Sequence, residues 1–180
     1  ERYLGREDAP IEARTWELLD AAMVDAAKSV LAGRRLLHIE GPYGLGLKAV
    51  PLEDCQVNEC MAVSQFVPVH LISTTFTVGI RDLLAFEQNG LPFSAAGAAE
   101  AAIECARNED TLIFEGAAGS KGLLTMEDCG MLKLSSWNTV GKAADDVIQA
   151  MILLDEAGYH GPYSLALAPS RYNLLFRRYL

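Results

Sequence analysis

Residues 33–44 read GRRLLHIEGPYG, Gly33 to Gly44, and the fold turns on how this stretch is read. Gly33 follows a long helical pattern at the place where a helix C-terminus favours glycine. Arg34 and Arg35 come next, and Leu36, Leu37, His38 and Ile39 then form a short run of strand character. Glu40, Gly41, Pro42, Tyr43 and Gly44 break the chain into a turn. A helix stop, a strand and a rigid turn in close succession make a junction between two parts of a molecule. Nothing in the stretch has the make-up of a catalytic centre.

Upstream of the junction, residues 11–32 carry a helical period. Trp16, Leu19, Met23, Ala26, Ala27, Val30 and Leu31 recur at spacings of three and four, with charged residues between them. Thr15 is expected to cap this helix and Gly33 to end it. Its apolar stripe has two readings, a face packed on the core or a docking face for a partner peptide. Residues 1–11 are polar, contain Gly5 and Pro10, and read as an arm that becomes ordered on a neighbour.

Downstream, residues 45–57 alternate short apolar pairs with Gly46, Pro51 and acidic residues, the pattern of a twisted hairpin or extended loop. Residues 65–77 are rich in β-branched and aromatic side chains and predict a strand, which Pro68 confines to an edge or a bulge. An open edge needs cover, often from another subunit. A helix is predicted over 78–88, stopped by Asn89-Gly90. Ser94 is the expected N-cap of an alanine-rich helix over 95–114, with a kink or fresh cap at Asn108-Glu109-Asp110. The glycine-rich stretch 115–122 lacks the GxxxxGK[ST] pattern of a phosphate loop and reads as a hinge or turn. An amphipathic helix follows over 140–157, with Ala143, Val147, Ala150, Met151 and Leu154 as its stripe and Gly158 at its end. A short strand is predicted over 163–167, then a last helix over 171–179 with Pro169 near its start.

Bulk properties narrow the function. The chain has 180 residues, 51% of them apolar, and a formal net charge of -9. Such a length buries about 70% of the unfolded surface. The acidity and the scatter of Lys and Arg argue against a nucleic-acid binder, which needs clustered cations. Cys55, Cys60, Cys105 and Cys129 form no CxxC pair, and His38, His70 and His160 have no metal-ligand spacing. Neither a zinc site nor any other metal is expected. No run is long and apolar enough to span a bilayer, and no hydrophobic signal core opens the chain, so a cytoplasmic setting is expected. For a hydrolase, Ser120 or Cys129 would serve as nucleophile with His70 or His160 as base. The sequence offers no GxSxG elbow and no Asp placed to orient a histidine, so no catalytic residue is assigned.

Several motifs in order resemble the encapsulin shell proteins, a family with the major capsid fold of tailed bacteriophages. They are the Pro10 arm, Trp16 and Asp20, Leu31, the run 32–44, and Thr75-Phe76-Thr77. Glu109-Asp110 with Ile113-Phe114-Glu115-Gly116, Lys121-Gly122-Leu123-Leu124, and 158–163 (GYHGPY) continue the likeness over the whole chain. The resemblance implies an α+β fold of capsid type. Residues 1–44 would hold the N-terminal arm, first helix and junction, and 45–72 an extended loop reaching over a neighbouring subunit. Residues 73–134 would form a peripheral domain with a spine helix, and 135–180 the start of an axial domain whose C-terminal part is missing.

It further implies a non-enzymatic subunit that assembles with itself into an icosahedral compartment. That compartment would enclose a cargo enzyme, a peroxidase or a ferritin-like iron-oxidising protein, held through a C-terminal targeting peptide. A phage or prophage capsid protein is the alternative within the same fold. By the same resemblance, the cargo peptide would meet Ala27, Val30, Leu31, Arg34, Leu36 and His38, with Arg34 as a polar anchor. Pro42, Tyr43, Pro68 and His70 would face neighbouring subunits. His38 stands where related shells often carry an acidic residue. Arg81 takes the aromatic flavin-stacking position of some members, so no flavin or other cofactor is expected.

Overall fold

The computed structural model describes residues 4–127 and 129–176. They fall into two units, the first ending at Thr125 and the second beginning at Met126, each with its own contacts. The first unit is built on three helices, α1 (Ala13–Val30), α2 (Ile80–Asn89) and α3 (Ala96–Phe114). Leu19 of α1, Leu83 of α2 and Ala98, Ala101 and Ala106 of α3 are the buried apolar residues of this body. The alanines of α3 explain the packing: without long side chains between them, two helices approach closely and α1 lies along α3. Burying one Leu of this kind contributes about 1.5–3 kcal/mol.

The predicted helix ends shift for reasons visible in the contacts. Glu12, not Thr15, is the N-cap of α1. Thr15 is fully buried inside the first turn. The cap comes instead from α2, where Glu87 Oε1 accepts the Glu12 N–H at 2.9 Å and the Thr15 hydroxyl at 2.6 Å. The Arg14 guanidinium lies over the Phe86 ring, donates to the Phe86 carbonyl at 3.0 Å and also bonds the Glu87 carbonyl. At the other end α1 stops at Leu31, and Gly33 opens a 3-10 turn, Gly33–Arg35. The predicted strand at 36–39 is absent: the Leu36 and Leu37 N–H groups both bond back to the Gly33 carbonyl, which curls the run's start. In α2, Gly90 takes the left-handed C-cap conformation foreseen for Asn89-Gly90. The N-cap of α3 is Ala95 rather than Ser94, and α3 runs without a break through Asn108-Glu109-Asp110.

Between α1 and α2 the chain makes an extended, nested hairpin. Strands β1 (Ala49–Pro51) and β4 (Phe66–Pro68) pair antiparallel, as do β2 (Cys55–Asn58) and β3 (Met61–Val63), with a bulge between Gln56 and Asn58. The strand predicted over 65–77 is thus confined to three residues, where the partner strand also ends. Every residue from 50 to 69 is exposed. Cys55 lies opposite Val63 and Cys60 in the turn, both as free thiols.

The stretch 115–122 is a tight hairpin, β5 (Gly116–Ala117) with β6 (Ser120–Lys121), rather than an open hinge. It folds back on α3: the Leu123 and Leu124 N–H groups bond the Ile113 and Phe114 carbonyls. A Cβ on Gly122 would sit 2.4 Å from the Gly116 nitrogen, so only glycine permits this approach.

The second unit contains α4 (Lys142–Glu156) and α5 (Pro169–Phe176). Its centre is Trp137, only 3% exposed, with the Arg171 guanidinium 5.0 Å from its ring centroid. Asp146 of α4 gathers three donors on Oδ2: the Ser135 N–H at 2.7 Å, the Ser135 hydroxyl at 2.9 Å and the Trp137 indole N–H at 2.8 Å. These bonds, the indole's first, hold the Asp146 carboxyl below its ordinary value against the opposing effect of burial. Gly158, at φ +85°, follows α4 as expected, and the Tyr159 N–H closes the end on the Leu154 carbonyl. Residues 163–167, predicted as a strand, pair with nothing among the described residues. The last helix begins at Pro169 itself, and Tyr179, its predicted end, lies outside the described residues.

Candidate functional site

The junction is held by two adjacent carboxylates of α3. Asp110 accepts the Ala32 N–H at 2.8 Å and the Gly33 N–H at 2.9 Å, the free donors that open the 3-10 turn. Glu109 takes Arg34 in a two-point grip, Nε to Oε1 at 2.5 Å and Nη2 to Oε2 at 2.7 Å. This grip, chiefly the hydrogen bond to Glu109, raises the Arg34 pKa above its already high ordinary value. Gly33 is buried beneath the clamp, and a Cβ there would lie 2.6 Å from Ile113 Cδ1 and 3.2 Å from an Asp110 oxygen. Its glycine identity therefore serves close approach to α3, not a left-handed helix end. The pair Glu109-Asp110, read from sequence as a kink, is a clamp because both carboxylates find their partners some 75 residues upstream. No local pattern signals that.

Beyond the clamp lies a cleft of about 600 Å³. Leu37, Ile39, Pro42 and Ile113 supply apolar lining, and Arg34, His38, Glu40 and Glu109 the charged and polar groups. Leu37 and Ile39 remain 41% and 54% exposed. Glu40 Oε2 accepts the Tyr43 hydroxyl at 2.9 Å, while Oε1 has His38 Nε2 at 3.9 Å. The same Glu40 raises the Tyr43 pKa.

Of the six positions expected to meet a peptide, Arg34 and His38 line this cleft. Ala27, Val30 and Leu31 lie half-buried along the end of α1, and Leu36 is half-buried in the turn; none of the four lines the cleft. Leu37, Ile39 and Glu40 do line it and were not singled out. Their signal was the strand-like run itself, whose curl puts Leu37 rather than Leu36 on the cleft. Among the four positions expected to face neighbours, Pro42 borders the cleft and Tyr43 is 66% exposed. Pro68 pairs with Ala49 at the foot of the hairpin, and His70 Nε2 lies 3.2 Å from the Ala118 carbonyl oxygen.

The remaining candidates are scattered. Arg81 is exposed on α2, and a smaller open pocket of about 300 Å³ nearby has Leu19, Phe76, Phe93 and Ala98 in its lining. The N-terminal arm folds on its own helix, with the Arg6 guanidinium 4.5 Å from the Trp16 ring centroid and paired with Asp20 at 2.5 Å. An acidic partner for a histidine does exist, contrary to the sequence reading: Asp155 Oδ1 is 3.4 Å from His160 Nδ1, and it also accepts the Tyr163 hydroxyl. Among the described residues no cluster of His, Cys, Asp and Glu could hold a metal ion, and no helix is long and apolar enough to cross a membrane.

Residues 1–180 match the family described as "Encapsulating protein for peroxidase". The chain is 31% identical over 194 residues to a type 1 encapsulin shell protein of Myxococcus xanthus, covering 98% of this chain and 68% of the relative. It is 31% identical to a type 1 encapsulin shell protein of Rhodococcus erythropolis, over 91% of this chain and 64% of the relative. A diheme-cytochrome-encapsulin shell fusion protein of Kuenenia stuttgartiensis is 28% identical, over 94% of this chain and 51% of the relative. The chain thus spans about half to two thirds of the length of these curated relatives. A match running from one end to the other, at this identity, settles the family: the chain belongs to the encapsulin shell proteins.

Proposed function

We propose that this chain is a subunit of a self-assembling encapsulin compartment, built on the tailed-phage capsid fold and located in the cytoplasm. The observation that carries the proposal is the family match over residues 1–180. The hairpin over 50–69 supports it. Val50, Leu52, Val57, Met61, Val63, Phe66, Val67 and Val69 are all exposed there, 40% or more. A two-stranded ribbon is marginal alone, and exposed apolar surface of this kind marks an interaction face. In this reading the ribbon is the extended loop that lies on a neighbouring subunit, with Pro42, Tyr43, Pro68 and His70 at its root.

The subunit's role is structural rather than catalytic, and the enclosed cargo is an oxidoreductase of the peroxidase or ferritin-like class. The family description names a peroxidase, and one relative is a shell protein fused to a diheme cytochrome. Cargo capture runs through a short C-terminal peptide of the enzyme. The peptide lies over Ala27, Val30, Leu31 and Leu36 and enters the cleft beside Arg34 and His38. The net charge of -9 suits a protein cargo better than nucleic acid. Electron microscopy of the full-length protein is expected to show closed hollow particles with a co-purified oxidoreductase. Monomers or dimers alone would overturn the shell reading, and particles filled with nucleic acid would favour a genome container over an enzyme compartment.

A further inference from the structure

We propose that the tight hairpin of β5 and β6 is the bearing of the extended ribbon: through His70 and Pro68 it fixes the direction in which the ribbon leaves the body, and so where the ribbon meets the next subunit. The inference rests on the reading of that ribbon as the loop that lies on a neighbour, and goes beyond it. The direction has to be fixed at the foot, because the ribbon is a long lever. Residues 50–69 are all exposed, and β1 and β4 are joined to each other by their own ladder. About ten residues separate the foot from the far turn, a reach of about 30 Å. A tilt of about 10° at the foot would move the tip by about 5 Å, close to one strand spacing.

The contacts at the foot all come from one place. His70 is half-buried directly after the exposed run, and its Nε2 lies 3.2 Å from the Ala118 carbonyl oxygen. A carbonyl only accepts, so Nε2 carries the proton and donates. Ala118 and Gly119 are the two central residues of the turn between β5 and β6. Gly119 has φ +85° and Ala118 does not have a positive φ, the pattern of a type II turn. The Ala118 carbonyl has no place in the register of the two strands, which leaves it for a partner outside the hairpin. Gly119 lies against the ribbon itself: a Cβ there would stand 3.3 Å from Pro68 Cγ. The hairpin is in turn tied to the end of α3. Besides the bonds from Leu123 and Leu124, the Thr125 hydroxyl accepts the Gly122 N–H at 2.8 Å and donates to the Glu115 carbonyl at 3.2 Å. The glycine-rich stretch 115–122, which lacks a phosphate-loop pattern, thus acquires a role. It carries the position of α3 to the foot of the ribbon, and His70 serves as a positioning residue within its own subunit.

The test uses the full-length protein with spin labels on Cys60, in the turn at the ribbon's tip, and on Arg107→Cys in α3, the other cysteines being replaced by Ser. Electron-electron resonance reads the distance between the labels in the unassembled subunit, and electron microscopy counts closed particles of the unlabelled variants. The parent chain should give one narrow distance. His70→Ala should lower the seated population about two- to ten-fold. The distribution should then broaden or shift by about 5 Å. Gly119→Ala, which presses on Pro68 instead, should shift it as well. His70→Gln, which keeps an N–H for the carbonyl, should restore the parent distance. The yield of closed particles should follow the same order, with the unfolding midpoint of the His70→Ala subunit unmoved. Unchanged distances in both His70→Ala and Gly119→Ala overturn the bearing. His70→Gln behaving like His70→Ala overturns the hydrogen bond as its means. Altered distances with closed particles formed as in the parent overturn the ribbon as the contact between subunits, and with it the bearing's part in assembly. A parent chain that forms no closed particles overturns the shell reading instead, and the distances still decide the bearing.

Discussion

The helical body of the first unit and the hairpin that projects from it are made of similar residues put to opposite use. In the body, Leu19 is 1% exposed and Ala98 1%, and the carboxylates Glu87, Glu109 and Asp110 each reach across to another helix or turn. In the hairpin, Phe66 is 60% exposed and Val57 53%, and the strands are held by their backbone ladder. The body buries a core within one chain, while the apolar residues of the hairpin all stay exposed. A chain that folds this way reserves part of its apolar surface for something outside itself. Under the proposed function, folding ends at the surface of the body and assembly begins at the hairpin.

The largest effect should come from the centre of the body. Leu19→Ala removes a fully buried side chain between α1 and α3 and is expected to cost about 2–5 kcal/mol in denaturant unfolding. A loss near zero would mean that the body is not the folding core of this unit. Next is Gly33→Ala, whose Cβ would press on Ile113 Cδ1 at 2.6 Å, with an expected cost of about 1–3 kcal/mol. The close neighbour is the end of a flexible side chain, so Ile113→Val in the same chain should restore part of the loss. If the two changes were simply additive, Gly33 would be acting through backbone conformation and not through close packing.

A smaller effect is expected from acid. The Thr15 hydroxyl and then the Glu12 N–H hold the Glu87 carboxyl below its ordinary value of 4.5. A lowered carboxyl contributes stability that is fully present above the unfolded value and is lost as pH falls through the folded one. Stability of the unassembled subunit should therefore decline below about pH 4.5, and Glu87→Gln should make that decline shallower. An unchanged acid limb in the variant would show that the α1 cap is not an ionised contact.

The same division explains what could be read in the sequence. The helices α1 to α4 were legible because their apolar residues recur within each segment and because Gly90 and Gly158 punctuate them. The site was legible only as a place. Arg34 and His38 stand out only through the family resemblance, the partner of Arg34 lies 75 residues away, and Glu109-Asp110 reads in sequence as a local kink or fresh cap in α3. Gly33 reads as a helix end, since a glycine demanded by a neighbour looks in sequence like one demanded by its own backbone. Asp146 was passed over on α4 because a charged residue on a helix is ordinarily a solvated one. Its burial depends on Ser135 and Trp137 folding onto it. The strands expected at 36–39 and 163–167 had the composition of strands without a partner among the described residues, and composition alone does not make a ladder.

The smallest effect on the single chain should come from the hairpin, and it gives the sharpest test of the comparison. Val63→Ser with Phe66→Ser removes two large apolar side chains that are 50% and 60% exposed. Exposed positions without packing partners change stability by about 0.5 kcal/mol or less, so unfolding of the unassembled subunit should hardly move. Seated on a neighbour, however, both side chains would leave water, and a closed shell repeats that contact at every subunit. The loss should then appear in light scattering as a shift from closed particles to small oligomers, with the subunit's own unfolding unchanged. If the double variant instead unfolds the subunit, the hairpin belongs to the body after all. If it assembles as well as the parent chain, the exposed apolar ribbon is not the surface that joins one subunit to the next.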